Sequence, residues 1–319
     1  MKKAGVKKTQ INSKNSLESA KKHKNGWIQY PLIVVLAGAV GVGSGIFIKR
    51  RFGQEKIDYS NFDASALALD SKELLKEYEK NPNGDFTPAE LVSIGLEKYR
   101  QCENSYSFTV GSAETIVNQS IRNAQIKNGD SYFEEQISKS SMVSLANRVS
   151  YTAGVDEIIK HIGEAISEES ANYTGESKSY TPEEYKSEYG RTLDEMFIYI
   201  IGNETVYDDA LVEKQSNGNI KISISLDSDL ATYYYKIQMK NISSLDDLPT
   251  FNYVKHVYTF TSDMVLLHSY IDERYQASMG VTVSIQNKLD TYYHANEYLK
   301  IPELNETFNY STKGEQKYE

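Results

Sequence analysis

The chain has 319 residues, 39% of them hydrophobic and 25% charged, with a formal net charge of -9. That balance allows one large packed domain or two small ones, and the single cysteine, Cys102, excludes an intramolecular disulfide. The charge is divided: residues 1–56 hold 12 Lys+Arg and 2 Asp+Glu, whereas residues 57–319 hold 23 and 42, an acidic body that repels nucleic acid and leaves no nucleic-acid partner to expect.

Residues 1–26 form a basic tail. After it, residues 28–48 carry no charge. As a helix these 21 residues span about 31 Å, close to a hydrocarbon core of roughly 30 Å. Ile28, Leu32, Val35, Gly41, Gly45 and Ile48 mark the span, with Trp27 and Tyr30 at interfacial depth and Lys49-Arg50-Arg51 as the stop. Eight lysines precede the span and four basic residues follow it closely, which predicts a cytoplasmic N-terminus and an extracytoplasmic body anchored at the cell membrane. Membrane lipid is then one expected partner. Ala37, Gly41 and Gly45 recur every four residues, the small-residue stripe through which two such helices can pair into a homodimer.

Residues 50–62 read as a linker to an α+β domain at 63–302, with a flexible tail at 303–319. A helix is predicted at 64–80, ending in Asn81-Pro82-Asn83-Gly84. A second is predicted at 88–102, because Thr87-Pro88-Ala89-Glu90 makes a capping box with proline in the first turn. The period then changes to two: Tyr106, Phe108 and Val110 alternate with Ser105, Ser107 and Thr109. Strands follow at 120–127, 132–138 and 142–151, the first two joined at Asn128-Gly129. Residues 155–168, with Ile158, Ile159, Ile162 and Ile166, predict a helix, and Thr181-Pro182-Glu183-Glu184 opens another. Further strands are predicted at 195–201, 211–213, 220–226, 232–239, 253–260, 265–272, 277–286 and 291–298. Many antiparallel strands with helices at the front and in the middle give the α+β class.

Motifs for chemistry are wanting. His161 and Glu164 lie one helical turn apart but make no zinc pattern. Asp227-Ser228-Asp229 lacks the glycine and distant glutamate of a calcium loop. The glycines at 41–45 are not followed by the Lys-Ser/Thr of a phosphate loop. The expectation is a non-catalytic protein without cofactor, in which Cys102 is a small buried hydrophobe. Tyrosine is abundant, 25 residues against one tryptophan. Phe108, Tyr233 and Tyr235 are candidate wall residues of a ligand groove, although tyrosine also suits strands for its own sake.

Residues 91–298 resemble a set of uncharacterised surface proteins of Gram-positive bacteria. The resemblance rests on the order of features: Leu96-Glu-Lys-Tyr-Arg-Gln-Cys-Glu103 before Ser105-Tyr-Ser-Phe-Thr-Val110, then Thr181-Pro-Glu-Glu-Tyr-Lys-Ser-Glu-Tyr-Gly190. Tyr235-Lys-Ile-Gln-Met-Lys-Asn-Ile-Ser243, Val257-Tyr-Thr-Phe-Thr261 and Ser269-Tyr-Ile-Asp-Glu-Arg-Tyr275 complete it. These proteins look like the LolA/LppX lipid-carrier superfamily. The resemblance implies a strongly curved antiparallel half-barrel with helices on its concave side, and a lipid or other amphiphile held in that concavity. Order and anchor are also similar to the VirB8-type assembly subunits of conjugation machines, structural proteins with an NTF2-like outer domain. The eleven or twelve strands predicted here exceed one such domain and suit a half-barrel.

Overall fold

A computed structural model of the protein describes residues 64–303, apart from residues 116, 141–145, 155, 166–176 and 244. The apolar span 28–48 with its basic flanks, the stripe Ala37, Gly41 and Gly45, the linker and the tail beyond residue 303 lie outside the described residues. Among the described residues no helix is long and apolar enough to cross a membrane.

The first helix, α1, runs Ser71–Lys80, shorter than the predicted 64–80. Asp70 sets its start, accepting a hydrogen bond from the Glu73 amide at 3.1 Å, and Ala64–Ala66 forms a separate 3-10 turn. Helix α2, Pro88–Arg100, starts where predicted: the Glu90 amide donates to Thr87 Oγ1 (3.3 Å) and the Thr87 amide to Glu90 Oε2 (2.7 Å). Cys102 lies just past its end, buried, with Sγ 3.5 Å from the Lys98 carbonyl. Helix α3, Pro182–Tyr189, repeats the capping box with Thr181 and Glu184.

The described residues form eleven strands: β1 Asn104–Glu114, β2 Gln119–Asn128, β3 Ser131–Ser140, β4 Ala146–Ala153, β5 Ile158–Ala165, β6 Ser177–Tyr180, β7 Leu211–Lys214, β8 Ile220–Leu226, β9 Thr250–Phe260, β10 Leu266–Met279 and β11 Val281–Ala295. They form one large, curved, open antiparallel sheet in the order β6-β5-β4-β3-β2-β1-β11-β10-β9-β8-β7. Two meanders meet where the first strand pairs with the last, Phe108 opposite Tyr292. The edges, β6 and β7, are only four residues long, which limits the backbone they leave unpaired. Gly129 opens the two-residue β2–β3 loop with φ +58, the positive value such a loop needs there.

Four predicted elements are overturned. Residues 158–165 are strand β5, not a helix: the doublet Ile158-Ile159, which mimics helical spacing, places one β-branched side chain on each face of the sheet, and Thr152 pairs with Ile159. Residues 232–239 are not a strand: Thr232 ends a turn and the rest lie in helix α4, Tyr233–Ser243. The Asp227 carboxylate accepts from the amides of Asp229 (2.9 Å) and Leu230 (2.7 Å) and starts the turn, after which Thr232, Lys236, Met239 and Ser243 are buried at helical spacing. Tertiary packing overrides the strand preference of Tyr233-Tyr234-Tyr235. Residues 195–201 are irregular, held by Leu69 N to Ile201 O (3.3 Å) and Ile200 N to Ala231 O (2.9 Å). The predicted strand 277–286 is split by Gly280, φ +73, and its second half joins 291–295 in the single strand β11.

Helices gather on one face of the sheet. Over β8–β11, helices α1, α2 and α4 bury Ile222, Ile224, Val254, Tyr258, Phe260, Tyr275 and Ile285 in the main core. Helix α2 sits so close that a Cβ on Gly95 would come within 2.2 Å of the Phe260 ring. On the same face at the far edge, α3 packs Tyr185 and Tyr189 on Tyr151, Ile158 and Tyr180.

Candidate functional site

The opposite face carries its own apolar patch, at β1–β3. Tyr106 and Phe108 alternate with Ser105 and Ser107, so the two aromatics leave the sheet on the side away from the main core. The register carries the patch across strands: Tyr106 pairs with Ile126, Phe108 with Ala124, Ile126 with Phe133 and Arg122 with Ile137. Tyr106, Phe108, Ala124, Ile126, Phe133 and Ile137 thereby share one shallow trough, each buried. Ala124, the smallest of them, sits between the larger side chains. Glu135, also buried, and Arg122 belong to the same face, so charge borders the apolar strip.

Among the described residues, the apolar side chains packed on this trough are Leu299 and Ile301, both half-buried. They belong to a strap that leaves the end of β11. Asn296 turns the chain at φ +59, a conformation asparagine tolerates better than most residues. Glu297 Oε2 then accepts from the Tyr106 hydroxyl at 2.9 Å, and the Leu299 carbonyl accepts from Asn128 Nδ2 at 2.9 Å. His294, 3.6 Å from Glu297, stacks on Tyr106 with ring centroids 4.2 Å apart. Two polar pins and two apolar side chains hold the strap down.

Of the wall residues suggested by sequence, Phe108 belongs to the trough, while Tyr233 and Tyr235 do not. Both are on α4: Tyr233 packs its ring 5.3 Å from Tyr234, and the Tyr235 hydroxyl reaches Glu273 at 3.2 Å. Sequence reasoning missed Ala124, Ile126, Phe133, Ile137, Leu299 and Ile301 as one group. Their signal was alternation, but only the register says which strands align.

Two polar clusters elsewhere concentrate perturbed groups. Glu273, on the core face, accepts from Tyr199 (2.6 Å), Tyr235 (3.2 Å) and Asn287 Nδ2 (2.8 Å), and burial pushes its carboxyl above the usual range. Neighbouring His256, bonded to Tyr258 at 2.8 Å and crossed by the Tyr199 ring, is pushed down to about 3 by burial. Because Tyr199 lies in the irregular segment and Tyr235 on α4, Glu273 clasps both coverings to the sheet. At the far edge, Lys160 Nζ donates to Tyr189 at 3.1 Å, 5.4 Å from its ring centroid, and burial lowers its amine. An open hollow of about 530 Å³ lies nearby, lined by Lys178, Ser179, Tyr180, Glu183, Glu184, Ser187 and Glu188, charged rather than apolar. A small cavity of about 10 Å³ between Gln125, Phe133, Glu134 and Met196 has room for roughly one water.

Among the described residues no three His, Cys, Asp or Glu side chains converge. His161 lies on β5 and bonds Ser177 at 2.7 Å, and Asp227 caps the turn before α4.

No family model matches the chain, and no curated protein matches it. Among solved structures, a DUF1329 family protein from Desulfovibrio piger ATCC 29098 is similar at 11% identity over 67% of this chain and 93% of that one, with a TM-score of 0.24. A candidate outer membrane protein from Bacteroides fragilis NCTC 9343 is similar at 8% identity over 61% of this chain and 99% of that one, with a TM-score of 0.12. Neither score carries an argument about fold or function.

Proposed function

We propose that the protein is a non-catalytic binding protein, anchored by residues 28–48 with its body outside the cytoplasm, that takes the acyl chain of a lipid or similar amphiphile on the β1–β3 face of its sheet. The observation that supports this most is the apolar strip on the side of β1–β3 away from the main core, where, among the described residues, six buried apolar residues lie under a strap contributing Leu299 and Ile301 rather than under a helix. Apolar surface in water must be covered, by chain or by ligand. A strap bearing two apolar side chains is a cover that a ligand can replace, unlike the helices on the other face. Arg122 and Glu135 beside the strip suit the polar end of an amphiphile. The same reading includes pairing of two copies through Ala37, Gly41 and Gly45.

The test uses the full chain in its membrane and a photoactivatable fatty-acyl probe, with adducts mapped by peptide mass spectrometry. Adducts on peptides carrying Phe108, Ile126 and Phe133, reduced by Ala124→Leu, are the expected result. Adducts confined to residues 28–48, where any membrane span is labelled, overturn the reading and leave the body as a scaffold of the assembly-subunit kind.

A further inference from the structure

We infer that the strap Glu297–Pro302 is a built-in competitor of the amphiphile, so that binding requires Leu299 and Ile301 to leave the trough. The inference rests on the reading just given, and concerns how that site is regulated.

Three observations carry it. The trough is covered: its six side chains are buried and, among the described residues, Leu299 and Ile301 pack on them, so strap and acyl chain claim the same surface. Among the described residues the strap is fastened through side chains: the Asn128 amide holds the Leu299 carbonyl, and the Tyr106 hydroxyl holds the Glu297 carboxylate. Glu297 is exposed, so water competes directly for its bond to Tyr106. Finally, the strap is no part of the sheet. Strand pairing ends at Ala295, opposite Ser105, and Asn296 at φ +59 turns the chain off the β11 line, so lifting the residues beyond it breaks no ladder hydrogen bond. A segment joined to its scaffold by side-chain contacts alone opens at far lower cost than the sheet beneath it.

The consequence is quantitative. When only the open form is competent, the apparent dissociation constant exceeds the intrinsic one by the reciprocal of the open fraction. Loosening the strap should therefore tighten binding without any new contact to the ligand. Charge at Glu297 and the amide at Asn128 then set how readily the site loads.

The experiment compares photolabelling of the β1–β3 peptides in the full-length wild type, in Asn128→Ala, in Leu299→Ser/Ile301→Ser, and in Ala124→Leu. The two strap variants should label at concentrations about tenfold lower than wild type, and Ala124→Leu should label less. Strap variants that label like wild type, while Ala124→Leu labels less, overturn the competitor and spare the proposed function. Strap variants that label less make the strap part of the ligand wall and overturn the competitor too. No adduct on β1–β3 in any variant brings down the proposed function itself. Hydrogen exchange keeps the test independent of the substitutions: adding the fatty-acyl probe to wild type should speed exchange in residues 296–301 while β2 and β3 slow. Slower exchange in residues 296–301 on adding the probe contradicts displacement.

Discussion

The two faces of the sheet are closed in different ways. Over β8–β11, three helices and an irregular segment seal a cluster of twenty-eight buried apolar residues; over β1–β3, a cluster of six lies under a strap supplying two. One cover is tied by capped helices, by the Tyr199 and Tyr235 bonds to Glu273, and by ring contacts such as Tyr235 with Phe251 at 5.7 Å. Among the described residues, the other is tied by side-chain bonds from Tyr106 and Asn128, by the contact of His294 with Glu297 and by a turn. The core face should open only when the whole domain unfolds, and the trough face should open by itself. One continuous sheet carries both clusters, on different strands and opposite faces, and each has its own kind of cover.

The largest effect should come from the core face. Phe260→Ala removes a fully buried ring seated against Gly95 and should cost about 3–5 kcal/mol in denaturant unfolding; a loss under about 1 kcal/mol would mean this face is not the main core. Next is Arg191→Ala, which strands Glu134, held by two bonds of 2.7 and 2.9 Å, and unties residues 191–196 from β3. It should cost roughly 3 kcal/mol and raise protease cutting near residue 195; unchanged cutting would show the segment is held by other means.

A pH titration sharpens the contrast further. The folded His256 is neutral down to about pH 3, whereas an unfolded histidine protonates near 6.5. The unfolded chain therefore binds the extra proton between those values, and stability falls as pH drops through that window, by on the order of 1.4 kcal/mol per unit for one proton. Glu273 acts oppositely. Its raised carboxyl gives stability that is fully present below the usual carboxylate range and is lost as pH rises through its folded value. His256→Leu should flatten the acid slope, read from denaturation midpoints at pH 4 to 7, and an unchanged slope would assign it to other groups. Cys102→Ala comes lower, at about 1–2 kcal/mol for a small buried side chain without a reactive partner. The smallest effect on global stability, within about 1 kcal/mol, should be that of Leu299→Ser. A loss as large as that of Phe260→Ala would make strap and core one cooperative unit.

Much of the fold was legible where local chemistry decides it. Thr87 with Glu90, Thr181 with Glu184, and Gly129 at the β2–β3 turn each encode their element within four residues, and each stands as read. Where an element depends on distant packing, the reading failed. Ile158-Ile159 fits helical spacing until two occupied faces of a sheet are known, and Tyr233-Tyr234-Tyr235 looks like a strand until α4 is seen to lie over Glu273 and Phe251. Phe108 was legible as a strand aromatic and a candidate wall residue, but the face it takes was not. Its neighbours in the trough come from strands aligned only by register, and Leu299 and Ile301 form too short an alternation to stand out from a tail.

The measurement that bears most directly on the two covers is thiol trapping in the full chain with Cys102→Ala, comparing Ala124→Cys in the trough with Ala277→Cys in the core, 0% and 1% exposed. Under native conditions the thiol at 124 should react with a maleimide far faster than the thiol at 277, and Leu299→Ser should speed the former alone. Equal, slow reaction at both sites, unmoved by Leu299→Ser, would mean that both faces open only with global unfolding, and would contradict the account.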